Sequence, residues 1–459
     1  MVLSVLLCFS LVVSVDAASM WSQTYGGADD DVAYSLVATS DGGYAMAGFT
    51  CSFDGEGFEF LLVKTDSDGV MEWNKTYGNP GAGWESNHAY SLVATSDGGY
   101  ALAGETWSFG AGMADYWLVK TDSSGNVQWN RTYGGDNVDK AESVVATSDG
   151  GFVIAGIQWS FEPYGVWLVK TDASGNMQWN KTYEGTEDEG DDIPRSVIAT
   201  PDGGYALTGG PWFIKTDALG NVQWNITYGG KEITVNGTYS FESYATYALV
   251  AASDGGYALA GSAVNYIGEP PEIIPLGITE WSAYTKGRRT DGESSVGSLV
   301  EASDEGYTTA NEESYLLQGL WLVKTDALGN MQWNRTYNGT GDAWACSLVA
   351  TSDGGYALSG WTGLVKTDAS GVMEWNRTYS EQYWDFVYSL VEASDGGFAL
   401  AGEKRLHPPF GVSQADLWLV KTDEFGIVPE YSSLLVPALV LTATAFIIIK
   451  KKRLLRTCS

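Results

Sequence analysis

The stretch Ser91-Leu-Val-Ala-Thr-Ser-Asp-Gly-Gly-Tyr-Ala-Leu-Ala-Gly104 places two short apolar runs on either side of an Asp-Gly-Gly turn. Apolar runs that flank Asp-Gly predict a tight β-hairpin. The chain continues through Trp117-Leu-Val-Lys-Thr-Asp122, a second turn at residues 123–126, and Val127-Gln-Trp-Asn-Arg-Thr-Tyr133. None of these runs has a helical period, so the stretch predicts a unit of four short strands.

This unit recurs through the chain with a period near 50 residues. The marker aspartates of its first turn are Asp41, Asp97, Asp149, Asp202, Asp254, Asp304, Asp353 and Asp395. A regular period of this length is typical of solenoids and propellers. Four antiparallel strands per unit favour the blade of a β-propeller, because an immunoglobulin-like unit needs about 100 residues.

Counting the units predicts the size of the ring. A strand that carries tryptophan occurs at Trp21, Trp73, Trp129, Trp179, Trp224, Trp281, Trp333 and Trp375. The chain begins with such a strand at Trp21, whereas the last unit ends at Asp423 without one. We therefore predict an all-β, eight-bladed propeller of four-stranded antiparallel blades, closed by the Trp21 strand in the final blade. The weakest unit is the fifth, whose third strand is expected near residues 272–277, before the outer strand at Trp281.

The two ends of the sequence predict export and anchoring. Residues 1–17 are mostly apolar and finish with small residues, as in a secretory signal peptide. The propeller is expected over residues 18–428. Residues 429–449 contain an uncharged apolar run from 432 to 449, long enough for a membrane helix, and residues 450–459 are basic. The positive-inside rule then predicts a single-pass cell-membrane protein with an extracellular propeller and a cytoplasmic tail.

Charge and rare residues restrict the chemistry. The net charge of −32 argues against nucleic acid as a partner. The four cysteines and two histidines show no zinc-binding spacing, and no disulfide framework is expected. We expect no cofactor and no catalytic set. Asp66 and Asp68 resemble half of a calcium loop, but the second acid is not repeated in other units, which favours a plain β-turn.

One face of the propeller is predicted to carry the variable connections. In a four-stranded meander the two conserved turns share a face, and the variable loops share the other, which is usual for a binding face. The aromatic residues predicted on that face are the candidate ligand contacts Trp107, Phe109, Trp159, Phe161, Tyr383 and Trp384. Aromatic rings with nearby acids suit sugar rings, and the acids also suit Ca²⁺, which takes oxygen ligands. The alternative is that Trp-Ser-Phe is local core.

Asn-x-Thr sequons mark candidate glycosylation sites, most of them on the outer strands. They occur at Asn74, Asn130, Asn180, Asn225, Asn236, Asn334, Asn338 and Asn376. Six of them share the Trp-Asn-x-Thr motif, so they amount to one observation copied with the repeat. The alternative is that Asn and Thr only occupy the face opposite Trp.

The element Asp122-Ser-Ser-Gly-Asn-Val-Gln-Trp129 resembles the tryptophan-docking repeat of the quinoprotein (PQQ) dehydrogenase-like propellers. The resemblance covers most of residues 21–423 and implies an eight-bladed scaffold. The adjacent cysteine pair of the catalytic members is missing here, so no quinone chemistry is implied. The layout is also similar to archaeal cell-surface repeat proteins, whose anchors often open with a motif like Pro429-Glu430-Tyr431.

These observations lead to three hypotheses for function. The first is a cell-surface scaffold that binds a glycan or protein ligand on the variable-loop face without catalysis. The second is an extracellular polysaccharide hydrolase that uses two carboxyl groups on that face. The third is a purely structural component of the cell envelope.

Overall fold

The chain forms a β-propeller in which each blade is a four-stranded antiparallel meander. The computed structural model describes residues 20–52, 57–79, 86–184, 193–228, 231–235, 238–268, 299–302, 306–309, 314–337, 345–360, 362–379, 385–406 and 414–428. The first strand of each complete repeat lies next to the propeller axis and contacts the first strands of the adjacent blades.

The first four blades follow one another along the chain. Blade one contains β2 (Asp31–Ala38), β3 (Tyr44–Thr50), β4 (Glu59–Thr65) and β5 (Met71–Tyr77). Blade two contains β6 (Asn87–Ala94), β7 (Tyr100–Thr106), β8 (Asp115–Thr121) and β9 (Val127–Tyr133). Blade three contains β10 (Asp139–Ala146), β11 (Phe152–Gln158), β12 (Gly165–Thr171) and β13 (Met177–Glu184). Blade four contains β14 (Ser196–Ala199), β15 (Tyr205–Gly209), β16 (Trp212–Thr216) and β17 (Val222–Thr227).

Three further blades complete the ring. Blade five contains β19 (Thr238–Ala251), β20 (Tyr257–Gly268), β23 (Ser314–Thr325) and β24 (Met331–Tyr337), with the extra edge strand β18 (Lys231–Val235). Blade six contains β25 (Ala345–Ala350), β26 (Tyr356–Gly360), β27 (Gly363–Thr367) and β28 (Met373–Thr378). Blade seven contains β29 (Phe386–Glu392), β30 (Phe398–Leu406), β31 (Gln414–Lys421) and β1 (Trp21–Tyr25).

The strand at Trp21 closes the ring, as the sequence predicted. β1 pairs with β31 in antiparallel register from Trp21 opposite Lys421 to Tyr25 opposite Leu417. The last blade is therefore built from both ends of the propeller sequence. This pairing gives β31 a neighbour on each side and ties the first residues of the ring to the last.

The ring has seven blades, and the prediction of eight was wrong. The fifth repeat supplies β19 and β20, but β20 pairs directly with β23 from the sixth repeat, with Gly268 opposite Ser314. The segment between them is an insertion in blade five, in which β21 (Leu299–Ala302) and β22 (Gly306–Thr309) form a separate two-stranded sheet. The expected third strand at 272–277 and Trp281 lie outside the described residues, and the third strand of blade five is β23.

The sixth copy differs from the seven blades in the sequence of its first turn. In the seven blades the residue after the marker aspartate is a glycine with φ between 81° and 87°. The copy at Asp304 has Glu305 at this position. The sixth copy therefore lacks the glycine that every blade uses in this turn. A glutamate would be strained in that backbone conformation.

Tryptophan and tyrosine of each outer strand dock on the next blade. In blade one, the Trp73 ring packs against Gly125 of blade two, and the Tyr77 hydroxyl donates a hydrogen bond of 2.7 Å to the Gly125 carbonyl oxygen. A tyrosine–glycine hydrogen bond of this kind occurs at all seven blade junctions: Tyr25–Gly69, Tyr77–Gly125, Tyr133–Gly175, Tyr183–Gly220, Tyr228–Gly329, Tyr337–Gly371 and Tyr379–Gly426. Gly125 has a φ of 77°, and a β-carbon at this position would lie 2.8 Å from Trp73, so only glycine leaves room for the ring.

Within each blade, a buried lysine joins the two conserved turns. Lys120 on β8 is 7% exposed in its side chain, and its Nζ lies 2.8 Å from Asp97 Oδ2 in the Asp-Gly-Gly turn. The same ion pair recurs as Lys64–Asp41, Lys120–Asp97, Lys170–Asp149, Lys215–Asp202, Lys324–Asp254, Lys366–Asp353 and Lys421–Asp395. Both conserved turns therefore lie on one face, and the variable loops lie on the other.

The predicted membrane anchor lies outside the described residues. Within the ranges given above, no helix is long and apolar enough to span a bilayer.

Candidate functional site

Five large apolar side chains stand exposed on the variable-loop face of blades two and three. They are Trp107 (38% exposed), Phe109 (39%), Met113 (54%), Phe161 (49%) and Tyr164 (52%), and we call them the aromatic patch. All five come from the connections between the second and third strands of the two blades. The sequence predicted three of them, Trp107, Phe109 and Phe161, and it missed Met113 and Tyr164 because neither belongs to a repeated motif.

The central serine of each Trp-Ser-Phe motif anchors its loop. In blade three, the Ser160 hydroxyl donates to Asp139 Oδ2 at 2.7 Å. In blade two, the Asn87 amide donates to Ser108 Oγ at 2.9 Å. Because serine is held by the first residue of the inner strand, the aromatic residues on either side of it are set at the surface.

The motif is therefore partly core and partly surface. The Phe109 ring packs against the buried Trp117 at a centroid distance of 5.3 Å, and Phe161 lies 6.3 Å from Trp167. Trp107 is exposed, whereas Trp159 is only half-buried. Neither the core hypothesis nor the surface hypothesis covers all four side chains.

The loops of the two blades both contact the connection between β9 and β10, residues 134–138. A β-carbon on Gly112 of blade two would lie 2.1 Å from the carbonyl oxygen of Gly135, so the two backbones touch. A β-carbon on Gly135 would lie 2.9 Å from Cζ of Phe161 in blade three. Two glycines thus allow both loops to pack on this connection, which bridges them across the blade junction.

Exposed apolar residues also occur on the conserved-turn face, with a different distribution. They are spread around the circumference among the blades, at Val70, Val127, Leu219, Leu328, Val372 and Phe425 among others. The aromatic patch instead concentrates five such side chains in two adjacent loops. It is flanked by the exposed acids Asp136 and Glu162.

A second cluster surrounds the propeller axis. In six of the inner strands a β-bulge leaves one residue without a paired partner on the second strand, and in blade four the equivalent residue directly precedes β14. These residues are Tyr34, Tyr90, Glu142, Arg195, Tyr247, Cys346 and Tyr388. Tyr34 packs against Tyr90 at 5.2 Å and against Tyr388 at 5.3 Å between ring centroids. On the other side, Arg195 and Lys140 lie 3.3 and 3.2 Å from the Glu142 carboxylate. We call these seven residues the axial ring.

The axial ring was not predicted, although the sequence contains its signal. The residue immediately before the Ser-Leu-Val or equivalent run changes from repeat to repeat while its neighbours stay constant. The β-bulge at this residue also explains why a glycine faces it on the second strand, as Gly104 does in blade two. A β-carbon on Gly104 would lie 1.8 Å from the carbonyl oxygen of His88.

Two buried glutamates flank the tyrosines of the axial ring and differ in acidity. Burial would raise the pKa of Glu105, but hydrogen bonds from His88 and Tyr90 and the charge of Lys140 hold it below its usual value. Burial raises the pKa of Glu403 despite the attraction of Arg405, which lies 3.0 Å away. Both glutamates contribute to the raised pKa of Tyr34, whose main cause is burial.

The other predicted site residues are placed as follows. Tyr383, Trp384, Asn236 and Asn338 lie outside the described residues. Asp66 Oδ1 accepts backbone hydrogen bonds from Asp68 and Val70, at 2.9 and 2.8 Å, so its carboxylate shapes the turn. No group of three or more potential metal-binding side chains occurs within the described residues.

The remaining sequon asparagines lie on outer strands. They are exposed at Asn130, Asn180, Asn225, Asn334 and Asn376, and half-buried at Asn74. Their glycosylation stays a prediction.

Comparison with solved structures confirms the propeller fold. A streptogramin B lyase matches 88% of this chain and 100% of its own length, with a TM-score of 0.50 and 10% sequence identity. A virginiamycin B lyase from Staphylococcus aureus matches 88% of this chain and 98% of its own, with a TM-score of 0.50 and 9% identity. At this identity the likeness shows the fold alone.

No protein-family model matches the chain, and no curated protein matches it. The resemblance to the quinoprotein dehydrogenase-like family and to archaeal surface proteins therefore stays a prediction. What the comparisons and the structure share is the β-propeller fold.

Proposed function

We propose that the protein is a non-catalytic binding module that captures a polypeptide partner with basic side chains on the aromatic patch. The observation that carries this proposal is the exposure of five large apolar side chains in two loops that pack on the same connection, residues 134–138. Aromatic residues and methionine are enriched at the cores of protein interfaces, and contiguous apolar patches mark interaction sites. The predicted signal peptide and anchor would present this surface outside the cell.

The charge around the patch supports a basic partner. Asp136 and Glu162 are exposed beside it, and the whole chain carries a net charge of −32. A rim of one charge favours encounter with a partner of the opposite charge. The apolar centre would supply most of the affinity, because aromatic anchors dominate interface energetics.

The test is an array of basic peptides, acidic peptides and glycans probed with residues 18–428, which contain all seven blades and the closing strand. We expect basic peptides with apolar residues to bind. Phe161→Ser together with Met113→Ser should weaken binding by at least about tenfold, or ~1.4 kcal/mol. Phe425→Ser is the matched control, because Phe425 is 54% exposed on the opposite face. Equal loss in both variants would contradict the proposal, and selective glycan binding would replace the polypeptide by a sugar chain.

A polysaccharide hydrolase is the second candidate, and one observation favours it. Glu105 and Glu403 accept hydrogen bonds of 2.8 and 3.4 Å from the hydroxyls of Tyr90 and Tyr388, the two tyrosines that pack on Tyr34. The environments of the two glutamates move their pKa values in opposite directions, as in an acid–base pair. Both are buried, at 8% and 3% exposure. If the protein hydrolyses a polysaccharide, and each of the single variants Glu105→Gln and Glu403→Gln loses this activity, the enzyme is favoured over the binding module.

A further inference from the structure

A buried carboxylate oxygen lacks a partner at the junction of blades two and three. Asp115, the first residue of β8, is 1% exposed. Its Oδ2 accepts hydrogen bonds from the backbone N–H groups of Ala111 and Gly112, at 2.7 and 3.3 Å. Its Oδ1 is buried and accepts no hydrogen bond. An unpaired buried carboxylate oxygen is costly, so its environment requires an explanation.

A second carboxylate faces the same point. Asp139, the first residue of β10, is fully buried. A β-carbon on Gly134 would lie 1.9 Å from Asp115 Oδ1 and 2.6 Å from Asp139 Oδ2, so these two oxygens are separated by no more than about 4.5 Å, the sum of the two distances. Burial and the charge of Asp139 raise the pKa of Asp115. No lysine or arginine pairs with either carboxylate in the described part of the chain, and Lys140, which follows Asp139, pairs with Glu142 instead.

The same arrangement recurs where the ring closes. Asp416 on β31 and Asp31 on β2 occupy the equivalent positions at the junction of blades seven and one. A β-carbon on Gly26 would lie 2.5 Å from Asp416 Oδ1 and 2.8 Å from Asp31 Oδ2. Asp416 Oδ1 is also buried without a hydrogen-bond partner.

The junction between blades one and two is a natural contrast. There Glu59 stands at the position of Asp115, but Asn87 replaces the second carboxylate. The Asn87 amide donates to the Phe58 carbonyl oxygen and to Ser108 Oγ, at 3.1 and 2.9 Å. An asparagine is thus compatible with the fold at this position.

We propose that the Asp115–Asp139 junction, and its counterpart at Asp31–Asp416, each bind a hard divalent cation of the Ca²⁺ type. Such ions take carboxylate oxygens at about 2.3–2.6 Å, and one ion can bridge two oxygens at this separation. The ion would supply the partner that Asp115 Oδ1 lacks and offset the repulsion of two buried carboxylates. Water completes its coordination.

The bound ion would also order the loops of the aromatic patch. Asp115 accepts hydrogen bonds from the loop of blade two, at Ala111 and Gly112. Asp139 accepts from Gly135 N, Trp159 N and Ser160 Oγ, at 2.9, 2.9 and 2.7 Å. An ion between these two carboxylates therefore sits beneath three surface loops, although the site itself does not depend on the proposed partner.

Calorimetric titration of the purified, metal-free protein with CaCl₂ at pH 8 tests the proposal. We expect two ions per chain, one in Asp139→Asn, one in Asp416→Asn and none in the double variant. Asp68→Asn is the control for loss of one surface charge, and it should leave two sites. Unchanged stoichiometry in Asp139→Asn would overturn the proposal. Loss of a site in Asp68→Asn alone would also overturn it, because the ion would then be bound at the Asp66 turn.

The competing explanation is a proton shared between the carboxylates. In that case the protein would bind no Ca²⁺ at pH 8, and its melting temperature would fall as pH rises from 5 to 8. Asp139→Asn would remove part of that fall. This result would also overturn the proposal, whereas a rise in melting temperature with CaCl₂ that NaCl at equal ionic strength does not reproduce would support it.

Discussion

The Tyr228 hydroxyl donates a hydrogen bond of 3.1 Å to the carbonyl oxygen of Gly329, which lies 101 residues further along the chain. At the other blade junctions the two partners are 34 to 48 residues apart. Blade four thus docks on a turn that comes after the whole insertion in blade five. This contact defines a ring of seven blades, because the inserted unit contributes no docking turn to it.

We expect that removal of residues 269–313 leaves the propeller folded. Gly268 and Ser314 are directly paired, so an Asn-Gly turn can join β20 to β23. The melting temperature should change by only a few degrees, as measured by circular dichroism. Deletion of blade two, residues 87–133, is the comparison and should abolish cooperative unfolding. If the deletion of 269–313 does the same, the insertion belongs to the ring.

Loss of the first strand should destabilise the ring much more than loss of the C-terminal segment. Trp21 is 5% exposed and packs on Gly69, and β1 supplies the outer strand of blade seven. Removal of residues 19–28 exposes the edge of β31 and empties this contact. Removal of residues 429–459 leaves every described strand in place. Equal melting temperatures for the two truncations would contradict closure by β1.

Two glycines of the repeat should differ in their tolerance of alanine. Gly98 has a φ of 81°, but its β-carbon would meet only Ser123 at 4.0 Å, so Gly98→Ala should cost about 1–2 kcal/mol from backbone strain. Gly104→Ala would place a β-carbon 1.8 Å from a backbone oxygen and should cost about 3 kcal/mol or more. Urea unfolding of the two variants measures both. The reverse order of stability would show that the strand bulge opposite Gly104 is absent.

Acid should unfold the ring chiefly between pH about 4 and 2. Partial burial would raise the pKa of Asp97, but hydrogen bonds from Lys120, Thr95 and the Gly99 backbone lower it to about 2. A depressed pKa contributes stability above the unfolded value of ~3.9, and this contribution is lost as pH falls through the folded value. Four further marker aspartates behave alike: Asp41, Asp149, Asp202 and Asp353.

Urea midpoints measured against pH would show this loss. Asp97→Asn should make the acid transition shallower, whereas Asp68→Asn should not, since Asp68 pairs with no lysine in the described structure. A midpoint that stays constant from pH 4 to 2 would contradict a stabilising role of the lysine–aspartate pairs. The individual pairs are small contributors because the aspartates are about half exposed.

The sequence allowed the blade to be predicted because each local pattern agrees with the fold. The Asp-Gly-Gly hairpin, the tryptophan strand and the displaced first strand all follow from short-range spacing. The number of blades could not be obtained by counting markers, since the copy at Asp304 retains one aspartate but lacks the glycine after it. Counting the ion pairs between a lysine and a marker aspartate corrects the number of blades, because Lys324 of the sixth repeat pairs with Asp254 of the fifth.

The candidate site was predictable only in part. The Trp-Ser-Phe motif led to Trp107, Phe109 and Phe161 because it is repeated. The pairs of buried aspartates at the blade junctions could be found only from the structure. Asp115 and Asp139 belong to different blades, and their carboxylates approach each other only beside Gly134. Pairs of this kind carry no short-range signal.

The chemistry of the patch ligand can be separated by changing the shape of one exposed ring. Sugar rings stack on flat aromatic faces, so a glycan ligand should tolerate Trp107→Phe and be lost with Trp107→Leu. A polypeptide that buries apolar area should tolerate both changes with a loss of less than about tenfold. Neither variant should alter the melting temperature much, because Trp107 is 38% exposed. Trp117→Leu is the contrasting control, since Trp117 is 4% exposed and packs on Phe60 at 4.5 Å, and it should destabilise the ring. A destabilised Trp107→Leu variant would show that Trp107 is core, and unchanged binding of both ligand classes would remove this ring from the binding surface.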